Sequence, residues 1–403
     1  MADKLKFLCV SSYFKGEAFL EACAEAGNEV YLITSSKLQN EAWPWHAITE
    51  VFYMEEDENR KWNQQHLVNA IAFQMREKFF DRFIALDDFD VEKVAALREQ
   101  FRTPGMGDST SRFFRDKLAM RVKAQGEGIP VPAFTPLFND SHIKRFIDEV
   151  PGPWMIKPRS EASAVGIKKV ADEATLWGVI EQLGDNRHRF VLERFSPGTV
   201  YHADALTFQG KVVFCRISRY LDTPFEVAHG GGIFRSQTLE KNDPANIALT
   251  ALNERLLKGF GMQYSASHTE FIEDRETGEF IFLETSSRVG GAHLAEMVEA
   301  ASGINLWAEW AKLETAIVRN TGYKVPKDSG KQAGIVVSLS RYEHPDDSQF
   351  TEPEIVWRMK KSWHIGLIVR AAKANKVLEL LNSLTNRIHS DYHGSAPAPD
   401  RSP

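Results

Sequence analysis

Cysteine is scarce in this sequence. Only Cys9, Cys23 and Cys215 occur among 403 residues, and no two of them have the spacing of a metal-binding Cys-x-x-Cys pair. Three such thiols cannot build a disulfide framework, so we expect a reducing, cytoplasmic location. Long apolar runs are also absent. The first residues, MADKLKFLCV, contain too short an apolar segment for a signal peptide, and no stretch reaches the roughly 18 residues of a membrane span. We expect no membrane association.

An excess of positive charge is missing as well. The chain has 49 basic and 55 acidic residues, a net charge of -6, and therefore no general attraction for nucleic acid. Several catalytic motifs do not occur: no dinucleotide-binding GxGxxG follows the first strand, and there is no P-loop, HExxH zinc helix or GxSxG nucleophile elbow. The sequence also suggests no Ser–His or Cys–His pair for nucleophilic catalysis.

The pattern of apolar segments predicts a mixed α/β and α+β protein. In residues 1–105, strands such as KFLCVSS, NEVYLITSS and FIALDDFD alternate with helical segments, which predicts a parallel sheet with helices on both faces. The glycine- and proline-containing stretch TPGMGDSTS marks a boundary. We expect a second domain at 106–320, with a small subdomain at 131–197 and a large one at 198–320. A small α+β module at 326–390 and a disordered tail at 391–403 complete the prediction.

A predicted hairpin brings two acids together. The segment SASHTEFIEDRETGEFIFLETSS alternates apolar residues on both sides of DRETG. With the turn centred near Thr277, Glu270 and Glu284 face each other, and like charges so placed are destabilising unless a cation lies between them. A hard divalent cation such as Mg²⁺ fits, and Ser286, on the same face as Glu284, offers a further oxygen. An ordinary hairpin with two solvated acids explains the same pattern.

Two lysines upstream favour the functional interpretation. Lys117 lies just inside a helix, and Lys157 ends a strand before the small-residue loop of WMIKPRSEASAVGIKKV. Such a loop lets backbone N–H groups approach phosphate oxygens, and lysine adds a point charge. Each lysine alone is typical of a protein surface, but together with the acidic hairpin they indicate a nucleotide–Mg²⁺ site.

These motifs resemble those of ATP-grasp enzymes, over roughly residues 105–315 with a preceding domain at 1–105. The resemblance rests on RDKLAMRVKAQGEGIPVPAF, MIKPRSEASAVGIKK, VLERFSPG, HTEF and FLETSSRVGG. It implies a biotin carboxylase-like N-terminal domain followed by two subdomains that hold ATP between them, as in carboxylate–amine ligases.

The resemblance also implies residue roles. Lys117 and Lys157 match nucleotide-contacting lysines, the loop 160–166 matches a phosphate cover, and Glu193 to Phe195 match a hinge that meets adenine. Glu270, Glu284 and Ser286 match metal ligands for Mg²⁺ (or Mn²⁺), and Arg288 matches the arginine that stabilises the transferring phosphoryl group. The predicted nucleotide-binding residues are Lys117, Lys157, Ser163, Ala164, Gly166, Glu193, Arg194, Phe195, His202 and Asp204.

Three departures from the family pattern matter. The predicted phosphate cover has one glycine, Gly166, where many relatives have several. Ser286 stands where the family has an asparagine, which leaves the number of metal ions open. Val200 stands where relatives have a ribose-binding acid, so we expect ribose contact to move to His202 or Asp204.

A glycine-rich segment is the predicted substrate loop. AHGGGIF, at 228–234, is interpreted as a flexible loop that lines the acceptor site, followed by Arg235 as a clamp for a carboxylate. A plain surface turn accounts for it equally well. The predicted substrate contacts are His229, Gly231, Arg235, Arg288 and Gly290.

The resulting hypothesis is an ATP-dependent carboxylate–amine ligase. Arg288 and Lys157 would assist formation of an acyl phosphate, with small-molecule carboxylate and amine as partners and a homodimer as a possible assembly. Two alternatives stay open. A biotin-dependent carboxylase is one, although ETSSRVGGAH lacks the glutamine and second glutamate of that branch. A nucleotide-binding regulatory protein with little catalysis is the other.

Overall fold

The computed structural model describes residues 4–162 and 165–395 of the protein. Its N-terminal part contains β1 (Lys6–Ser11), α1 (Glu17–Glu25), β2 (Glu29–Ser35), β3 (Glu50–Met54), α2 (Gln64–Gln74), β4 (Arg82–Ala85) and α3 (Val91–Phe101). The four strands form one sheet in the order β3-β2-β1-β4, and every pair is parallel. The predicted parallel sheet is confirmed.

Strand β1 explains why helices cover both faces of this sheet. Its side chains alternate between two cores because successive residues of a strand point to opposite faces. Phe7 and Cys9 pack in the core that contains residues of α1, whereas Leu8 and Val10 pack with residues of α2 and α3. A run of buried apolar residues is therefore the pattern that a sheet covered on both faces requires.

Two helices lead from the first sheet to the rest of the chain: α4 (Asp108–Ser111) and α5 (Lys117–Gly126). The sequence placed Lys117 just inside a helix, and α5 begins at this residue. Asp116 is the N-cap of α5, since its carboxylate accepts hydrogen bonds from the backbone N–H groups of Leu118 and Ala119. An aspartate cap of this kind satisfies N–H groups that have no partner inside the helix. Lys117 is thereby the first residue of the helix.

The next segment forms a small antiparallel sheet with two helices. It contains β5 (Phe134–Pro136), α6 (Asp140–Glu149), β6 (Trp154–Pro158), β7 (Lys168–Val170), α7 (Glu173–Leu183) and β8 (Phe190–Arg194). The strand order is β5-β8-β6-β7. Ile143 of α6 and Leu176 of α7 pack with Ile156 and Leu192 of the sheet in one core. Helix α6 was not predicted from the sequence.

An eight-stranded antiparallel sheet dominates the remainder. Its elements are β9 (Gly198–Phe208), β10 (Lys211–Tyr220), α8 (Pro224–Gly230), β11 (Phe234–Thr238), α9 (Pro244–Gly259), β12 (Tyr264–Asp274), β13 (Phe280–Ser286), α10 (Leu294–Ser302), α11 (Leu306–Val318), β14 (Gln332–Leu339), β15 (Ile355–Arg358), β16 (His364–Ala371) and α12 (Ala374–Asp391). The strand order is β13-β12-β9-β10-β11-β14-β16-β15. The predicted mixture of a parallel sheet with α+β parts is confirmed.

The last strands belong to this same sheet. Strand β14 pairs with β11 and with β16, and α12 packs its apolar face against these strands in one core. The domain limits proposed from the sequence stay a prediction, and residues 396–403 of the predicted tail lie outside the described residues. None of the helices in the described ranges combines the length and apolar character needed to cross a membrane.

The glycine-rich segment is more regular than expected. Residues 228–230 belong to helix α8, so the predicted loop at 228–234 is wrong over these three positions. The helix begins with a capping box between Thr223 and Glu226 and has Pro224 in its first turn, both of which favour helix initiation. It ends at Gly231, whose φ of 64° lies in the left-handed region that favours glycine.

Candidate active site

A cavity of about 860 Å³ is lined by eight of the predicted site residues. Its walls include the segment after β4, the start of α5, the small antiparallel sheet and the strands β12 and β13. Residues with ionisable side chains in these walls include Asp88, Lys117, Lys157, Glu270, Glu284 and Arg288. A concave site of this size with several convergent polar groups suits a small ligand.

The two acids of the hairpin face each other as predicted. Glu270 of β12 pairs directly with Glu284 of β13. Nearer the turn, Phe271 pairs with Phe282. The register of the two strands therefore shifts by one residue between Glu270 and Phe271, where a β-bulge lies. Without the bulge Glu270 would lie opposite Leu283. A bulge re-aims the side chains beside it, so this irregularity places both carboxylates in the cavity wall.

Lys117 holds a positive charge beside the hairpin. Its Nζ lies 2.7 Å from Oε2 of Glu284 and donates a hydrogen bond of 2.9 Å to the carbonyl oxygen of Glu161. The side chain is largely buried, at 9% exposure, while that of Glu284 is 36% exposed. The ammonium group therefore connects the hairpin to the start of the predicted phosphate cover.

Lys157 belongs to a buried trio of charges. Its Nζ lies 2.7 Å from Oε2 of Glu193, and Nε of Arg121 lies 2.8 Å from Oε1 of the same carboxylate. Burial alone would raise the pKa of Glu193, but Arg121 and then Lys157 outweigh it and lower the pKa to about 2. Glu193 is thus ionised, and it fixes the strand-end lysine at the cavity wall.

The predicted adenine hinge follows this carboxylate. The side chain of Glu193 is buried in its ion pairs, whereas Arg194 and Phe195 line the cavity. Nζ of Lys169 lies 3.6 Å from the centre of the Phe195 ring. The guanidinium of Arg194 pairs with Glu276 at 3.0 Å. The Lys169 ammonium thus covers one face of the Phe195 ring, and the backbone N–H of Phe195 donates to the carbonyl oxygen of Pro153 at 3.0 Å.

Arg288 is held by a residue of the N-terminal sheet. Its Nη2 donates to Oδ2 of Asp88, which follows β4, and its Nη1 donates to the carbonyl oxygen of Val289 at 2.7 Å. Burial would raise the pKa of Asp88, but Arg288 and Arg115 lower it well below its usual range. The hydroxyl of Ser286 contributes in the same direction. Arg288 consequently keeps its charge and a fixed orientation at the wall.

The predicted ribose residues lie elsewhere. His202 and Asp204 are fully buried, and neither lines the cavity. Nδ1 of His202 lies 2.7 Å from Oδ2 of Asp204, and Nδ1 of His268 lies 2.8 Å from the other oxygen, Oδ1. The expectation of ribose contact at these two positions is therefore not supported, because both side chains face their own network.

The same network contains a Ser–His–Asp arrangement, contrary to the expectation of no Ser–His pair. Oγ of Ser236 lies 2.7 Å from Nε2 of His202 and donates to the carbonyl oxygen of Arg219 at 3.1 Å. All three members are fully buried and none lines the cavity. A nucleophile must reach its substrate, so this arrangement is a structural network in the sheet.

Gly290 makes room for this network. A Cβ at Gly290 would lie 2.8 Å from Oδ1 of Asp204 and 2.9 Å from Nδ1 of His268, closer than real contacts allow. Its neighbour Gly291 has no atom within 4 Å of such a Cβ. Gly291 lines the cavity and Gly290 does not. The predicted substrate role of Gly290 thus gives way to a packing role.

Three other predicted substrate residues stand outside the cavity wall. Arg235 donates two hydrogen bonds to Oδ2 of Asp222, at 3.0 and 2.6 Å, and Asp222 is the member of the pair that lines the cavity. His229 is exposed and its Nδ1 lies 3.0 Å from the carbonyl oxygen of Phe225. Gly231 ends helix α8. The helix itself, through residues 224–228, lines the cavity.

The predicted phosphate cover is only partly described. Ser163 and Ala164 lie outside the described residues. Gly166 has a φ of 69°, and a Cβ there would lie 2.9 Å from Cγ of Pro158, so glycine suits both the conformation and the space. Its neighbours Val165 and Ile167 line the cavity.

The hairpin acids fit a hard divalent cation. Burial raises the pKa of Glu270, but His268 and then Tyr220 lower it, so the net shift is downward and the carboxylate form is favoured. Glu284 already attracts the ammonium of Lys117. Oxygen ligands of this kind suit Mg²⁺ or Mn²⁺. His202, Asp204 and His268 also place three ligand atoms within 4.8 Å of one another, but these atoms are engaged with each other.

Three residues of the site were not predicted from the sequence. Asp88 anchors Arg288, Arg121 shares Glu193 with Lys157, and Tyr220 donates a hydrogen bond to Oε1 of Glu270 at 2.8 Å. A signal existed for Asp88: it follows a strand of a parallel sheet, and ligand sites of such sheets lie at the carboxyl ends of the strands.

Comparisons with known proteins find ligases among the similar chains. No protein-family model matches the chain. An L-arginine-specific L-amino acid ligase of Bacillus subtilis is 26% identical over 234 residues, which cover 57% of this chain and 56% of that enzyme. A D-alanine–D-alanine ligase of Neisseria meningitidis serogroup A is 31% identical over 204 residues, 50% of this chain and 66% of that enzyme. The matched regions thus span between half and two thirds of these relatives.

Solved structures extend the likeness in fold to nearly the whole chain. An L-amino acid ligase from Bacillus licheniformis superposes with a TM-score of 0.76 at 15% identity, covering 98% of this chain and 99% of that one. The N5-carboxyaminoimidazole synthetase of Staphylococcus aureus, complexed with ADP, gives a TM-score of 0.72 at 12% identity, covering 95% and 98%. The resemblance to ATP-grasp carboxylate–amine ligases inferred from the motifs is confirmed.

Proposed function

We propose that the protein is an ATP-dependent ligase that joins the carboxylate of one amino acid to the amine of a second small molecule. ATP phosphorylates the carboxylate, giving ADP and an acyl phosphate. The amine then attacks the acyl carbon, phosphate leaves, and the amine loses a proton. Two observations from related proteins support an amino-acid substrate: the L-arginine-specific L-amino acid ligase among the sequence relatives and the L-amino acid ligase among the structures.

One observation carries the proposal. The opposed carboxylates Glu270 and Glu284 share a cavity with Lys117, Lys157 and Arg288. Phosphoryl transfer needs positioning and charge neutralisation more than a covalent nucleophile. This set of residues offers both, and the Ser–His–Asp arrangement of the described chain is buried away from the cavity.

Each residue has a proposed task. Glu270 and Glu284, with Ser286 beside them, would hold Mg²⁺ or Mn²⁺, which supplies positive charge to the phosphates when bound. Lys117 and Lys157 would bind phosphate oxygens, and Arg288, oriented by Asp88, would neutralise charge on the transferring phosphoryl group. Phe195 and the adjoining backbone would contact adenine. Helix α8 and Asp222 would border the amine.

We also propose the metal, the partners, the location, the assembly and the domain limits of the protein. We infer Mg²⁺ as the natural metal, small-molecule partners only, a cytoplasmic location and a homodimer in solution. The limits 1–105, 106–320 and 326–390 serve as the proposed domain division. Sedimentation velocity would test the assembly, and limited proteolysis would test the division.

Trapping the acyl phosphate tests the proposal. The wild-type protein is incubated with ATP, Mg²⁺, hydroxylamine and single amino acids, including L-alanine and L-arginine, and hydroxamate and ADP are measured. Equal amounts of both products are expected with the correct amino acid. Arg288→Ala should suppress both, whereas Arg145→Ala, an exposed position on α6, should suppress neither.

Three results would favour a different function or mechanism. AMP and pyrophosphate as products would indicate adenylation and contradict the acyl phosphate. ADP formation that requires bicarbonate and biotin would favour a carboxylase. Nucleotide binding without ADP formation, across the common amino acids with and without added amines, would favour a regulatory protein.

A further inference from the structure

A continuous set of buried polar side chains runs across four neighbouring strands beneath the cavity. It begins at Ser236 on β11, passes through His202 and Asp204 on β9, and reaches His268 on β12. Strand β10 lies between β11 and β9, and β12 adjoins β9 on its other side. His202 lies directly across from Glu270 in the register of β9 and β12. The set therefore ends at one of the two proposed metal ligands.

The end of this set engages a single oxygen of Glu270. Tyr220 of β10 donates its hydroxyl hydrogen to Oε1 at 2.8 Å, and Nε2 of His268 lies 3.7 Å from that same oxygen. Within residues 4–162 and 165–395, Oε2 accepts no hydrogen bond from the protein. The side chain is 16% exposed and lines the cavity. Glu270 thus has one oxygen held from below and one available to a ligand.

We propose that Tyr220 is a positioning residue that fixes Glu270 through Oε1, so that Oε2 alone is presented to a divalent cation. The inference rests on the proposed metal site at Glu270 and Glu284. Tyr220 does not touch the cation. Its role is to keep the carboxylate from rotating and to leave a one-oxygen ligand in place.

The packing around Tyr220 restrains its side chain. The tyrosine is 5% exposed, and its ring packs against His202 with centroids 4.7 Å apart and against Phe234 at 5.6 Å. A ring held on both sides loses little freedom when its hydroxyl bonds to Glu270. Partners that orient metal ligands typically change metal affinity by about 10- to 100-fold when removed.

The chain offers a matched control for the loss of one tyrosine hydroxyl. Tyr201 of β9 donates to Oε2 of Glu273 at 2.8 Å and is 7% exposed. It lies in the same sheet, makes the same kind of bond at the same distance, and does not line the cavity. Glu273 has no proposed part in metal binding. Tyr201→Phe therefore reproduces the chemical change of Tyr220→Phe without its proposed consequence.

The experiment measures Mn²⁺ binding directly. Free Mn²⁺ is followed by electron paramagnetic resonance during titration of the wild type, Tyr220→Phe and Tyr201→Phe, each with saturating ADP. Circular dichroism checks that all three are folded. We expect Tyr220→Phe to weaken Mn²⁺ binding by about tenfold or more and Tyr201→Phe to match the wild type. In turnover assays Tyr220→Phe should require correspondingly more Mg²⁺ for half-maximal rate.

The possible results separate this inference from the proposed ligation. Wild-type Mn²⁺ affinity in Tyr220→Phe, or an equal loss in Tyr201→Phe, would overturn the positioning role while leaving the ligase proposal intact. Failure of the wild type to bind Mn²⁺ with ADP would overturn both the metal site and this inference. The expected pattern of Mn²⁺ affinities without hydroxamate from any amino acid would support the inference and contradict the ligation alone.

Discussion

Replacing Glu193 with glutamine should destabilise the fold by removing the charge between two buried cations. In the native protein its carboxylate lies between Arg121 and Lys157, at 2.8 and 2.7 Å. Arg121 has no exposed surface. A neutral amide cannot balance the guanidinium and the ammonium, which then repel each other in a region with little water to screen them.

The magnitude follows from the pKa of Glu193. It falls from its ordinary value of 4.5 to about 2 in the folded protein, and one pKa unit corresponds to about 1.4 kcal/mol. The ion pairs therefore stabilise the folded state by about 3 kcal/mol at neutral pH. Breaking a buried pair by removing one partner costs about 3–5 kcal/mol in other proteins, which agrees with this value.

The lowered pKa of Glu193 also determines how its contribution to stability changes with pH. Because folding lowers the pKa of Glu193, its contribution is fully present above pH 4.5 and is lost as the pH falls towards about 2. Other carboxylates titrate in the same window, so the wild-type curve alone does not isolate Glu193. The difference in unfolding free energy between wild type and Glu193→Gln does, and it should shrink on acidification.

Urea unfolding, followed by tryptophan fluorescence at several pH values between about 7 and 3, measures this difference. The matched control is Glu127→Gln, which removes a surface pair with Lys123 at 2.6 Å and should leave the midpoint nearly unchanged, as exposed pairs contribute little. An unfolding midpoint of Glu193→Gln equal to that of the wild type at neutral pH would refute the reasoning. So would a difference that persists unchanged at low pH.

Three further predictions concern the cavity and its supports. Gly290→Ala should lower the free energy of unfolding by about 1–3 kcal/mol through overpacking, whereas Gly291→Ala should not, and thermal denaturation of the two variants compares them. Asp88→Asn should slow ADP formation by about tenfold or more, because Arg288 loses its anchor, with a smaller change in the KM for ATP; an unchanged kcat would contradict the anchoring role. A chelator without added metal should abolish ADP formation, and Mg²⁺ or Mn²⁺ should restore it; full activity in the chelator would remove the metal from the proposal.

Local patterns explain what could be predicted from the sequence. The hairpin was identified because alternation and a turn are encoded within about twenty consecutive residues, and the pairing of Glu270 with Glu284 followed from the position of the turn. The bulge at Glu270 was not predicted, yet it decides that pairing. Helix α8 could have been found, since Thr223, Pro224 and Glu226 form a recognisable start signal. The three consecutive glycines at 230–232 favoured a loop instead.

Distant contacts explain what was missed. Asp88 and Arg288 are 200 positions apart, and no short motif connects them. His202 and Asp204 were assigned to ribose because of their place in the chain after Glu193. Their actual surroundings depend on the register of β9 against β12 and β10 and of β10 against β11, which brings Ser236 and His268 within bonding distance. Side-chain networks across several strands cannot be inferred from one sequence, because a shift of one residue reverses every face.

Lys117, Lys157 and Arg288 differ in their acidic partners, and this difference bears on how metal and nucleotide bind. Lys157 and Arg288 pair with Glu193 and Asp88, both buried and neither a proposed metal ligand. Lys117 alone pairs with a proposed metal ligand, Glu284. A divalent cation at Glu284 would weaken that pair and leave the ammonium free for a phosphate oxygen, while a phosphate at Lys117 would leave Glu284 free for the cation. Under the proposed function, metal and nucleotide should therefore strengthen each other's binding, since a coupling free energy between two sites acts equally in both directions.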